Sequence, residues 1–172
     1  MRNFKRCLLA GSLLLSVICF GPGFVIAQDS TTVLVGAELT RVMPPGFYFQ
    51  GLSAPTQMRN SAAARFGANR YVITGLVDTS GYAADVRAKY EGFFITDSPV
   101  TINGSELGTG AYGFGFSENG KMQILDLAGN QILSVSTTND SALKRPRPLM
   151  MTKASNGIRF YNGKDFVTIA AK

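Results

Sequence analysis

The sequence has no histidine, and its two cysteines, Cys7 and Cys19, both lie within the first twenty residues. Histidine is the usual general base near neutral pH and, with cysteine, supplies the common zinc ligands. A Ser-His-Asp triad, a thiol nucleophile and a thiolate metal site are therefore out of reach for residues 28–172. Carboxylates, lysine, tyrosine, serine and threonine remain. The carboxylates of Asp78, Asp85, Glu91 and Asp97 are dispersed, and no Asp-x-Asp-x-Asp-Gly loop points to calcium. Neither a metal nor a cofactor is expected.

Two short motifs bear on catalysis. Leu76-Val77-Asp78-Thr79-Ser80-Gly81 is superficially similar to the strand and turn of aspartic proteases, yet Ser80 stands where that family needs glycine. The glycine belongs to the tight loop that brings two carboxylates together, so Asp78 to Ser80 read better as the cap of a following helix. Ser141-Ala142-Leu143-Lys144 matches the Ser-x-x-Lys pattern of penicillin-recognising enzymes, but it runs straight into Arg145-Pro146 and has neither companion motif. Gly-x-Ser-x-Gly does not occur. The expectation is a chain that is not an enzyme, with a carboxylate-dependent hydrolase around Asp78 as the remote alternative.

Binding chemistry has three candidates. Residues 50–60, Gln-Gly-Leu-Ser-Ala-Pro-Thr-Gln-Met-Arg-Asn, read as a polar loop whose Gln57, Arg59 and Asn60 make directional hydrogen bonds. In Ala111-Tyr112-Gly113-Phe114-Gly115-Phe116, strand alternation puts Tyr112, Phe114 and Phe116 on one face and Ala111, Gly113 and Gly115 on the other. The aromatic face suits a core or a cavity wall, with Tyr71 and Arg59 as polar contacts near its mouth. The glycine face implies close approach of another segment. Lys144-Arg145-Pro146-Arg147-Pro148 is an extended basic surface segment and the third candidate.

The elements that position these residues are mostly strands. Asn-Gly, the strongest short hairpin signal, occurs at 103–104, 119–120, 156–157 and 162–163. Strands are expected near 110–117, 121–127, 131–137, 149–154, 157–162 and 165–171, as an antiparallel meander. Earlier strands are read at 33–35, 46–50, 62–66, 70–78 and 93–96, the last followed by a hairpin through Asn103-Gly104. One helix of two to three turns is read over 82–90, because Tyr82, Val86 and Tyr90 form one stripe and Asp85 can pair with Lys89. About ten strands and one helix argue for an all-β domain over 28–172. Meander connectivity favours a small soluble β-barrel over a β-sandwich, which stays open as the alternative.

The first 27 residues read as a signal peptide. Arg2, Lys5 and Arg6 precede an apolar run from Cys7 to Phe20, and Val25-Ile26-Ala27 suits cleavage before Gln28. The run is short for a permanent span and ends at Gly21-Pro22-Gly23. Removing its three basic residues takes the net charge from +6 to +3, with the positive side chains scattered except at 144–147. Nucleic acid is not an expected partner. The chain is expected to be exported, to the periplasm or beyond, with no membrane span after cleavage.

Phe47-Tyr48-Phe49-Gln50-Gly51, Ser53-Ala54-Pro55-Thr56-Gln57-Met58-Arg59-Asn60 and Gly75-Leu76-Val77-Asp78-Thr79-Ser80-Gly81-Tyr82 together resemble segments of small exported bacterial proteins of unknown function. Residues 110–116 and 144–149 are similar to the same group, so the resemblance covers most of 28–172. It implies export but no activity and no catalytic residue. The leading expectation is a non-enzymatic envelope domain whose barrel encloses a small apolar ligand. The alternative is a structural or interaction module that meets an envelope protein through 51–60 or 144–148.

Overall fold

Short turns set the strand order in the computed structural model, which describes residues 30–172. The leader expected at 1–27, and its cut before Gln28, lie outside the described residues. In chain order the elements are β1 (Thr31–Val33), α1 (Gly36–Val42), β2 (Gly46–Phe49), β3 (Leu52–Phe66), β4 (Arg70–Val77), α2 (Ala84–Arg87) and β5 (Gly92–Thr96). They continue as β6 (Val100–Ile102), β7 (Ser105–Leu107), β8 (Gly110–Ser117), β9 (Lys121–Leu125) and β10 (Gln131–Ser136). β11 (Thr138–Asn139), β12 (Arg147–Ala154), β13 (Gly157–Gly163) and β14 (Asp165–Ala171) complete the described chain. Among the described residues no helix is long and apolar enough to cross a membrane.

The strands form two antiparallel sheets. The first runs β1-β3-β4-β5-β8-β9-β10 with β2 added to β3, and the second runs β12-β13-β14-β6-β7 with β11 added to β14. The fold is all-β, as expected, and its architecture is the sandwich alternative rather than a closed barrel. β12 runs beside β1 and β3, and β10 comes near β7, yet no ladder joins the sheets among the described residues. The edge strand β1 pairs only Thr31–Val33 with the last three residues of β3, too short a rim to carry pairing across to β12. At the other edge the pairing of β10 with β9 shifts around Ile132.

Turn chemistry explains most of the pairing. Asn103 and Gly104 both take positive φ, 48° and 83°, as a two-residue hairpin turn requires. At the other three Asn-Gly pairs only the glycine does, and two of the turns move by one residue. Ser155-Asn156 link Ala154 to Gly157, and Gly163-Lys164 link Asn162 to Asp165.

The structure corrects three expectations. Residues 52–60 belong to strand β3, not to a loop. The preceding turn is only Gln50-Gly51, both with positive φ (45° and 84°), so pairing of Phe49 with Leu52 starts the strand at once. Helix α2 is a single turn, because the amide of Glu91 already bonds the Phe114 carbonyl and draws the chain into the sheet. Tyr82, Val86 and Tyr90 are nevertheless all buried, as their spacing implies. Lys89 does not pair with Asp85; its ammonium donates to the Gly129 carbonyl at 3.2 Å. Helix α1, where no helix was expected, is the third difference.

Apolar side chains gather on both faces of the first sheet. Between the sheets, Phe94, Phe114, Met122, Ile124, Ile158, Phe160 and Ile169 are fully buried. On the outer face, Phe49, Tyr90 and Phe93 pack with Phe47, Tyr82 and Val86 under the β2–β3 hairpin and the 82–90 segment. The run Ala62-Ala63-Ala64 is small because β3 is covered on both sides there, with alternate residues in the two clusters. Gly113 and Gly115 allow the outer layer to approach β8. A Cβ on Gly113 would lie 2.6 Å from the Phe49 ring, and one on Gly115 would strike the Lys89 carbonyl.

Candidate functional site

The structure divides the residues singled out for binding into three places. Tyr112, Phe114 and Phe116 face the inter-sheet core on one strand. Phe114 is fully buried and meets Phe160 edge-on, with ring centres 5.4 Å apart, and Phe116 lies 5.8 Å from the same ring. Such pairs contribute about 0.5–1.5 kcal/mol each beyond simple burial. The Tyr112 hydroxyl turns back to donate to the carbonyl of Gly108 at 3.1 Å, closing the turn into β8.

Tyr71 is elsewhere. It sits on β4 against the outer cluster and lines a crevice of about 80 Å³ with Leu34, Glu38, Arg41, Val42 and Arg65. Its backbone amide donates to the Asp97 carboxylate at 2.7 Å.

Gln57, Arg59 and Asn60 stay together, on a bulge. Thr56 pairs with Val77 and Ser61 with Gly75, so residues 57–60 of β3 stand opposite Leu76 alone. A bulge of this kind re-aims side chains and bends its strand. Local bonds hold its shape. Gln57 donates from Nε2 to the Val77 carbonyl at 3.0 Å, Asn60 donates from Nδ2 to Gln57 Oε1 at 2.8 Å, and the Ser61 hydroxyl donates to the Met58 carbonyl at 2.7 Å. Met58 and Arg59 at the tip are exposed, and Arg59 makes no ion pair among the described residues.

Beside the bulge lies a cleft of about 250 Å³ lined by Gln57, Leu76, Val77, Thr79, Arg87, Tyr90, Glu91 and Asn162. Four elements meet there: the β3 bulge, the end of β4, α2 with the segment after it, and the end of β13. Glu91 Oε2 accepts from Asn162 Nδ2 at 2.9 Å and from the Phe116 amide at 3.3 Å. Burial pushes the Glu91 carboxyl above its ordinary value, and the two hydrogen bonds pull it part of the way back. Arg87 is exposed at the rim. The buried Tyr90 hydroxyl has no hydrogen-bond partner among the described residues, and burial beside Tyr82 keeps it protonated well above the usual phenol range.

Asp78 lines a neighbouring crevice of about 260 Å³ with Leu52, Ser53, Ala54, Pro55, Ser80, Gly81 and Tyr82, which holds no second acidic side chain. Its carboxylate accepts from the Ser80 amide at 3.0 Å, and that bond lowers its pKa. Two carboxylates sharing a proton need to lie about 3 Å apart. Among the described residues no group of three or more His, Cys, Asp or Glu gathers to hold a metal ion.

Sequence reasoning found Gln57, Arg59 and Asn60 from their polarity. It passed over Thr79, Arg87 and Asn162 as members of the same site, because the cleft is assembled from segments up to about a hundred residues apart. In the sequence, Asn162 stands only as half of a turn signal. No protein family model, curated protein or solved structure matches this chain.

Proposed function

We propose that the chain is an exported, non-enzymatic module of the bacterial envelope that engages another envelope component through the bulged end of its sandwich. The carrying observation is the bulge itself. Its polar side chains are tied by Gln57 and Asn60 into a fixed shape while Met58 and Arg59 are left exposed at its tip. A rigid scaffold presenting an irregular polar tip is the arrangement that recognition commonly uses. An apolar ligand held between the sheets would need space along Tyr112, Phe114 and Phe116, where Phe160 already packs. The absence of histidine and the isolation of Asp78 support a binding role over hydrolysis.

A photo-reactive residue placed at Met58, with a control at Ser155 in the β12–β13 turn, tests this in cells that export the chain. The expected result is a discrete adduct in the envelope fraction from position 58 and none from 155, on a chain whose mass begins at Gln28. Equal labelling from both positions, or none from 58, would remove the bulged end as the contact. An intact leader would remove the export reading.

A further inference from the structure

We infer that the component met by the bulged end is an anionic lipid surface, a reading that rests on the envelope module proposed above. Six cationic side chains converge on this end. Arg147 pairs across the ladder with Gly163, which places it beside Asn162 of the cleft, and Lys164 follows in the same turn. The Asp140 amide bonds the Lys164 carbonyl and the Leu143 amide bonds the Asp140 carbonyl, which brings Lys144 and Arg145 to the same corner. Arg87 lines the cleft with Gln57. The sixth is Arg59. At the far end of the sandwich Phe66 shares a cavity with Lys153 and Ala154, and β3 runs beside β12. Gln57 of the bulge and Asn162 line one cleft, and Arg147 pairs with Gly163, so Arg59 lies at the same end of the sandwich as Arg147.

All six are exposed, and none makes an ion pair among the described residues. Of the carboxylates nearby, only Asp140 is paired with a cation among the described residues. Asp140 is held by Arg159 and the Tyr161 hydroxyl, Asp165 accepts from Asn139, and Glu91 accepts from Asn162. Asp85 and Asp78 are exposed. A chain of modest overall charge therefore carries a net positive face at one end, six cations against Asp78, Asp85, Glu91 and Asp165 once Arg159 is set against Asp140. Lys144 and Arg145 sit in a bend rather than in the extended segment expected, and Arg147 opens β12, with Pro146 and Pro148 fixing the backbone between and after them.

Charge alone would suit any polyanion; Met58 argues for lipid. It is 41% exposed at the bulge tip, between Gln57 and Arg59. An apolar tip ringed by cations can enter the headgroup boundary while the cations meet phosphates, which a soluble polyanion would not reward. The contact is peripheral. It requires no spanning segment.

Sedimentation of the exported chain with vesicles tests the inference. One set is pure phosphatidylcholine, and in the other a third of the lipid is phosphatidylglycerol. Binding to the second set alone, weakening as salt rises, is expected. The combined variant Lys144→Ala, Arg145→Ala, Arg147→Ala should weaken it about a hundredfold, while Lys153→Ala, at the other end, changes it less than about twofold. Met58→Ser should weaken it several-fold. Thermal unfolding of each variant checks that the fold persists, and Arg59→Glu gives an independent charge reversal if the triple variant fails that check. Equal binding to both vesicle sets, no binding, or equal losses from Lys153→Ala and the triple variant would overturn the inference. So would binding to soluble polyphosphate as tight as to vesicles and indifferent to Met58→Ser. A protein adduct from position 58 without vesicle binding would overturn the lipid assignment and keep the module.

Discussion

Strand β8 is packed on both faces for most of its length, whereas β3 is packed only over its second half. In β8 each of residues 113–116 has a packed neighbour. The rings of Phe114 and Phe116 meet Phe160, and Gly113 and Gly115 lie under Phe49 and Lys89. In β3, residues 61–64 are buried, while 57–59 are exposed and out of register with β4. The two strands share one sheet, so their difference is not one of fold. Regular alternation accompanies burial on both sides, and the broken stretch carries the side chains left free to bind. Replacements in β8 should therefore cost stability, and replacements in the β3 bulge should not.

Phe114→Ala is the strongest way to test this. The side chain is fully buried among Phe160, Phe116 and the inter-sheet aliphatics, and its removal leaves a cavity that the sheets cannot close. A loss of about 3–5 kcal/mol in urea unfolding is expected. A loss below about 1 kcal/mol would mean that the core is slack there and could admit a ligand, reviving the apolar-ligand expectation. Gly115→Ala probes the opposite face. Its Cβ would strike the backbone carbonyl of Lys89, which has no flexible end to move, so about 1–3 kcal/mol should be lost.

These effects also indicate how much could be read before the structure. The glycine–aromatic alternation of 111–116 announced both the aromatic face and the close approach, because both follow from the two-residue period of a strand. Strands after residue 110 were legible from their turns. The bulge was not, since polar residues on a half-exposed strand look like a loop, and Gln50 is an unusual residue at positive φ. Barrel against sandwich was undecided for a physical reason as well. Closure depends on how far β1 and β10 reach, and turn residues govern pairing only between neighbours. The cleft was illegible because Arg87, Glu91 and Asn162 meet only after the two sheets pack.

Glu91→Gln sharpens the comparison at the point where β8 meets the cleft. The folded carboxyl has its pKa raised above the ordinary 4.5, so in this range the folded chain holds more protons than the unfolded one. Its contribution to stability is greatest below 4.5 and declines as pH rises through the folded value. Asp78 and Asp126 have lowered pKa values and act oppositely, their contributions fading as pH falls from 3.8. The difference between wild type and Glu91→Gln isolates the first effect. The variant should gain stability relative to wild type as pH climbs above 4.5, read as a widening gap in urea midpoints. A gap that stays constant with pH would show that the Asn162 and Phe116 bonds compensate burial fully.

The smallest effect is expected at the bulge tip, and its smallness is the point. Met58 and Arg59 are exposed, their side chains make no hydrogen bond or ion pair among the described residues, and the shape of the bulge depends on Gln57, Asn60 and Ser61 instead. Met58→Ala and Arg59→Ala should each change unfolding free energy by no more than about 0.5 kcal/mol, singly or together. Gln57→Ala differs, because it removes both the bond to Val77 and the acceptor for Asn60, and should cost about 1 kcal/mol. If instead Met58→Ala or Arg59→Ala costs as much as Gln57→Ala, the tip belongs to the folded framework and is not free for a partner. A neutral tip on a braced base separates binding from folding in this strand, so that loss of envelope contact by a tip variant can be read as loss of recognition.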